Sequence, residues 1–231
     1  MLSSFTLSRR RSCFGTSALL GGVVLTLTGA SAMAVTPDEK LARSTEVLQE
    51  ILSDARPPAH LLEESFCIAV LPRVLEGALG FGARQGKGVI SCRRTDGGWS
   101  PPAFLSIAGG SIGLQIGFES TDLVLLVVNE RSATSLMRSK FTLGADAKVA
   151  VGPIDAAASA TTDARLDAEI YSYGNSTGFF AGASLSGARI KIRRKEISRY
   201  YPERPVPEDL LFGDAQVRLS GAAAAFVDAL P

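Results

Sequence analysis

The chain has 231 residues, 46% of them hydrophobic and 20% charged, and its 24 Lys and Arg stand against 23 Asp and Glu. That composition excludes a disordered polyelectrolyte, and the even charge balance excludes a general nucleic-acid binder, which carries a basic excess. A single histidine, His60, excludes His-rich metal sites, while 23 glycines and 7% aromatics point to tight turns and small-residue strands rather than a helical bundle.

Residues 1–34 read as a cleaved export signal. Arg9, Arg10 and Arg11 form a positive start, Phe14 to Leu27 is uncharged and largely apolar, and Ala32-Met33-Ala34 supplies a small-x-small cleavage site. The apolar stretch is short of the ~20 residues that span a bilayer as a helix, so cleavage after Ala34 is expected rather than anchoring. The residues do not distinguish general from twin-arginine export. Removing three Arg and no acid from 24 and 23 leaves 21 against 23, a net of −2 for the mature chain. The expected location is the periplasm or cell envelope.

In the mature chain, Thr36-Pro37-Asp38-Glu39 reads as a capped helix start, followed by Leu41, Leu48, Ile51, Leu52 and Ala55 at helical spacing up to Pro57-Pro58. A short helix is predicted over 61–65. Beyond Pro72 the texture changes to short apolar runs broken by Gly, Asp-Gly and Pro. Strands are predicted over 67–71, 77–83, 87–94, 103–108, 111–118, 122–128, 142–151, 164–173, 178–185 and 187–193, with a helix over 132–139 and a closing helix over 215–230. Such close spacing favours antiparallel pairing. The expected fold class is α+β: a single domain over 35–231, mainly antiparallel sheet or a partly closed barrel or sandwich, with flanking N- and C-terminal helices.

Cys13 leaves with the signal, and Cys67 and Cys92 remain in two strand-like runs. Two readings stand for them, a disulfide formed in an oxidising compartment or two buried free thiols. Gly109, Gly113 and Gly117, with Gln115 between, mark strands expected to approach other backbone closely.

No segment carries a specific catalytic signal. The glycine-rich run from Gly77 to Gly88 fails the dinucleotide pattern at Gln85. It fails the phosphate-loop pattern in the spacing after Gly82 and again at Gly88. A glycine-rich hairpin accounts for it. His60 lies beside Pro57-Pro58 and reads as a surface residue. No metal site and no cofactor are expected.

The basic residues are more distinctive. Arg189, Lys191 and Arg193 alternate with Ile190 and Ile192, which as a strand puts three cations on one face. Arg194, Lys195 and Arg199 follow. A patch of this kind attracts anionic headgroups at about 1 kcal/mol per cation near the surface; a strand edge guarded by charge is the other reading. Arg84, Lys87, Arg93 and Arg94 make a second, weaker cluster.

The chain resembles the SYLF domain family, also called the Ysc84 actin-binding domain. The matching residues include Ile68-Ala69-Val70-Leu71-Pro72, Gly86-Lys87-Gly88-Val89 and Gly98-Trp99-Ser100-Pro101-Pro102. Gly113-Leu114-Gln115-Ile116-Gly117, Phe141-Thr142-Leu143-Gly144, Tyr171-Ser172-Tyr173 and Gly178-Phe179-Phe180-Ala181-Gly182 follow in order. The resemblance implies a non-enzymatic lipid binder, since eukaryotic members bind phosphoinositides and in some cases actin. On that basis the expected site for anionic phospholipid is Arg189, Lys191, Arg193, Arg194, Lys195 and Arg199, with Arg84 and Lys87 beside it. Actin is not expected as a partner of an exported chain, and the oligomeric state is left open. The alternative is a structural envelope protein, or a binder of a small apolar ligand.

Overall fold

The computed structural model describes residues 35–152, 168–175 and 185–231, with the backbone alone for 78–81, 111–117 and 175. Helix α1 (Pro37–Asp54) starts as the sequence requires. The Thr36 hydroxyl accepts from the Glu39 N–H, and the Glu39 carboxylate accepts from the Thr36 N–H at 2.8 Å. A short α2 (Ala59–Glu63) follows the proline pair.

Two long strands make the sheet. β1 (Cys67–Cys92) and β2 (Ala103–Val127) pair antiparallel from Cys67 opposite Val127 to Ile90 opposite Ala103, with register shifts between Leu71 and Val74 and between Leu79 and Phe81. Next come α3 (Glu130–Ser135), capped by the Asn129 side chain, β3 (Phe141–Thr142) and β4 (Val149–Val151). β5 (Ile170–Asn175) and β6 (Arg189–Ile192) then pair antiparallel with opposite ends of β2 on its second edge. The order is β3-β6-β2-β5-β4 with β1 on the other side of β2, and the β4–β5 pair alone is parallel among the described strands. Three helices close the chain: α4 (Arg194–Tyr200), α5 (Pro207–Leu211) and α6 (Gly221–Asp228), the last capped by Ser220.

β1 curls until its ends meet. Cys67 and Cys92 are disulfide-bonded with their Cα atoms 3.9 Å apart, and the Arg93 N–H donates to the Phe66 carbonyl at 2.7 Å. At this crossing Gly88 lies so close to the Val70 carbonyl that an added Cβ would overlap it, and would stand 2.8 Å from Leu71 Cα. Glycine is what allows the strand to pass over itself. The result is a curled, partly closed sheet whose concave side holds Val74, Leu105 and Ile107. Helix α1 lays Leu41, Val47, Leu48 and Ile51, all fully buried, against β1 and α6. Each such side chain contributes roughly 1.5–3 kcal/mol on burial.

The α+β class and the flanking helices match the sequence reading, but several element boundaries do not. The predicted strands 67–71, 77–83 and 87–94 are one strand, as are 103–108, 111–118 and 122–128. The glycine run from Gly77 to Gly88 is therefore mid-strand and not a hairpin; Pro72 falls at a register shift, where a missing N–H is tolerated. The predicted strand 142–151 is interrupted by a turn at Gly144, whose φ is +81°. α4 and α5 stand where the sequence predicts no helix. Gly109 does approach another backbone, with a Cβ there meeting Ala188 Cα at 3.0 Å. The surroundings of Gly113 and Gly117, the Gln115 side chain, and residues 164–167 and 178–184 lie outside what the structure describes.

Candidate functional site

Strand register assembles the basic residues. In β6, Ile190 and Ile192 turn inward and Arg189 and Lys191 outward. Lys191 pairs with Ser106 of β2, which pairs on its other side with Lys87 of β1; two residues along, Arg189, Ala108 and Gln85 form a second row. Residues directly opposite in a sheet point to the same side, so these six share one outward face. With strands about 4.8 Å apart, Lys87 and Lys191 stand roughly 10 Å apart. Only the small side chains of Ser106 and Ala108 lie between the cations. Gln85, Ser106 and Ala108 do not stand out in the sequence, because their place depends on pairing across three strands.

The remaining cations divide. Arg193 and Lys40 both donate to the Glu196 carboxylate, and Arg194 clasps Glu208 with two N–H groups, one at 3.0 Å. Burial pushes the Glu196 carboxyl up, but the hydrogen bonds from Lys40 and Arg193 outweigh it and hold the pKa below the usual carboxylate range. The hydrogen bond from Arg194 holds Glu208 low as well. Lys195 and Arg199 are one turn apart on α4, exposed, and without an ion-pair partner among the described residues. Arg84 does not join the face. It points into the concave side, is 6% exposed, and pairs with Glu76. Arg93 is stacked on Trp99 at 4.5 Å, and Arg94 pairs with Asp214 at 3.1 Å, so both brace the turn that joins β1 to β2.

Beside the face, α1 is latched to α4 and α6. The Tyr200 hydroxyl donates to Asp38 at 2.8 Å and lies 2.6 Å from the Ser220 hydroxyl, which also reaches Asp38 at 2.8 Å. Lys40 is 8% exposed, with its ammonium 5.0 Å above the Phe104 ring. Although Tyr, Ser and Asp converge here, burial pushes the Tyr200 pKa up to about 12, away from the range where it would act as a base at neutral pH. The cluster holds helices together. A shallow cleft of about 360 Å³ has a mixed lining, with the carboxylates of Glu203, Asp209 and Asp214 beside Pro205, Ala215, Gln216 and Val217. Among the described residues no group of three or more His, Cys, Asp or Glu is placed to hold a metal ion, and no helix is long and apolar enough to cross a membrane.

A family model described as "Ysc84: Las17-binding protein actin regulator" matches residues 108–231. The chain is 36% identical over 176 residues to SH3 domain-containing YSC84-like protein 1 of Rattus norvegicus, covering 75% of this chain and 51% of that protein. It is 33% identical over 165 residues to Protein YSC84 of Saccharomyces cerevisiae, covering 69% and 35%, and 31% identical over 159 residues to that yeast's LAS seventeen-binding protein 3, covering 68% and 34%. The chain thus spans about half the length of the mammalian relatives and a third of the yeast ones. The family description names actin regulation, so the expectation that actin is no partner finds no support in it. With more than half of its residues matched by the family model, the chain belongs to the Ysc84 family.

Proposed function

We propose that this domain is a non-enzymatic module that docks on anionic membrane surfaces through its cationic sheet face, outside the cytoplasm after cleavage following Ala34. The observation that carries the reading is the register that gathers Lys87, Arg189 and Lys191 around Ser106 and Ala108, with Lys195 and Arg199 exposed on the next helix. Cations with small neighbours, and without an ion-pair partner among the described residues, keep their charge available to headgroups. Arg193 and Arg194 instead direct theirs to carboxylates.

The test is co-sedimentation with vesicles of phosphatidylglycerol and phosphatidylcholine across a salt series. Wild type should bind at low salt, release as salt rises, and ignore pure phosphatidylcholine, because exposed charges are screened beyond about 8 Å at physiological ionic strength. Replacing Lys87, Arg189 and Lys191 together by Ser should remove about 3 kcal/mol of attraction. Equal binding by the folded triple variant refutes the reading. The family description favours a second reading, in which a protein of the actin-regulating machinery is the partner. Co-sedimentation with filamentous actin at physiological salt, without lipid, tests that one.

A further inference from the structure

Resting on that reading, we propose that Lys87, Ser106 and Lys191 form a seat for a single phosphate group, with the Ser106 hydroxyl as the donor that selects it. Ser106 is the middle of its row, with Lys191 of β6 on one side and Lys87 of β1 on the other, each about 4.8 Å away across the sheet. The four-carbon stem of each lysine is long enough to bring both ammoniums over the serine. The Ser106 hydroxyl lies 3.5 Å from the Lys191 carbonyl, longer than an ordinary O–H···O bond, so its proton is weakly committed. Neither lysine has a carboxylate partner among the described residues.

The seat lies at the foot of a step. Side chains alternate along a strand, so the paired residues Val89 and Phe104 face the same side as Lys87 and Ser106. Both are fully buried. Over Phe104, the Tyr200 ring of α4 packs edge-to-face with ring centres 5.1 Å apart, and the Lys40 ammonium of α1 lies 5.0 Å from the ring centre. Ser106 is half-buried and Ala108, two residues further, is exposed. The helical layer therefore ends at Ser106. A group resting on that serine has a protein wall on one side, where the lower local dielectric strengthens its attraction to the ammoniums. The wall's Glu196 carboxylate is already shared by Lys40 and Arg193. Shape then selects the ligand. A tetrahedral phosphate turns oxygens to both flanks and to the floor at once, whereas a planar carboxylate suits the fork of an arginine better than two point charges around a hydroxyl.

Inorganic phosphate is titrated into the isotope-labelled mature domain, with chloride holding the ionic strength constant. The amide signals of Lys87, Ser106 and Lys191 should shift together and saturate. Ser106→Ala should weaken that binding about tenfold, the scale of one hydrogen bond to a charged group, whereas Ser106→Thr keeps the hydroxyl and the affinity. Vesicles of equal phosphatidylglycerol and phosphatidylcholine tell a lipid headgroup from a free phosphate. If the seat takes a headgroup, Ser106→Ala weakens vesicle binding by a similar factor. If it takes free phosphate, that variant binds vesicles like wild type and loses only inorganic phosphate. Ser106→Ala equal to wild type towards both probes, or folded Ser106→Thr as weak as Ser106→Ala, overturns the seat and leaves the membrane reading to the triple variant. Wild type that ignores the vesicles but binds phosphate through Ser106 defeats the membrane reading and keeps the seat. Wild type that binds neither probe overturns both.

Discussion

Lys87 and Lys191 flank Ser106 in one row of the sheet, so two basic segments from distant parts of the chain share one surface. Neighbouring cations do not share that role equally. Arg193 and Arg194 are engaged with Glu196 and Glu208, and removing them exposes those carboxylates. Replacing Arg193 and Arg194 by Ser should therefore lower the melting temperature, at a cost near 1 kcal/mol or less for pairs this exposed. Replacing Arg189 and Lys191 should leave melting unchanged and weaken vesicle binding at low salt. The opposite pattern in paired melting and sedimentation measurements would reassign the face.

The Cys67–Cys92 bond closes a segment 25 residues apart in sequence and joins the two ends of β1 at their crossing. Constraint of the unfolded chain by a loop of this length is worth roughly 3 kcal/mol. Urea unfolding of the Cys67→Ala, Cys92→Ala double variant should show that loss. A midpoint equal to wild type, in protein whose thiols fail to label before reduction, would mean that the crossing is held without the bond.

Gly88 tests the crossing from the other side. Gly88→Ala drives a methyl into the Val70 carbonyl and should destabilise the fold by about 2 kcal/mol or more. Gly221→Ala, at the start of α6 with nothing within 4 Å of the added carbon, should change stability little. Thermal melts of the two variants compare them directly.

Glu196 sets an acid limit. Its folded pKa is held below that of the unfolded chain, so its pairing with Lys40 and Arg193 is fully effective above the unfolded value near 4.5 and is lost as pH falls through the folded value. Glu196→Gln should be destabilised by about 1–3 kcal/mol at pH 7, because it leaves the buried Lys40 without its counter-charge. The gap to wild type should close at acid pH. Urea midpoints measured from pH 7 down to pH 3 check it.

Tyr200 sets an alkaline limit. Burial first, opposed by the Ser220 hydrogen bond and reinforced by Asp38, pushes its pKa from 10.0 to about 12. The stability it contributes is complete below pH 10 and is lost as pH rises towards 12. Tyr200→Phe should be less stable than wild type at neutral pH and should lose less on passing from pH 10 to 12. Parallel denaturation curves across that interval decide the point.

Near-neighbour chemistry along the chain accounts for part of this structure. The Thr36–Glu39 capping box, the apolar stripe of α1 and the inward turn of Ile190 and Ile192 follow from neighbours a few positions apart, and they stand in the structure as the sequence implies. Tertiary structure decided what depends on pairing. Glycines from Gly77 to Gly88 carry turn propensity, yet a long partner strand keeps the ladder running through them and reserves Gly88 for the crossing with Val70. That continuity sends Arg84 and Lys87, three residues apart, to opposite faces: Arg84 inward to Glu76, Lys87 outward to the row of Ser106 and Lys191. Composition could count these cations, but a one-residue change of register would exchange their faces, and register is set by partners far along the chain.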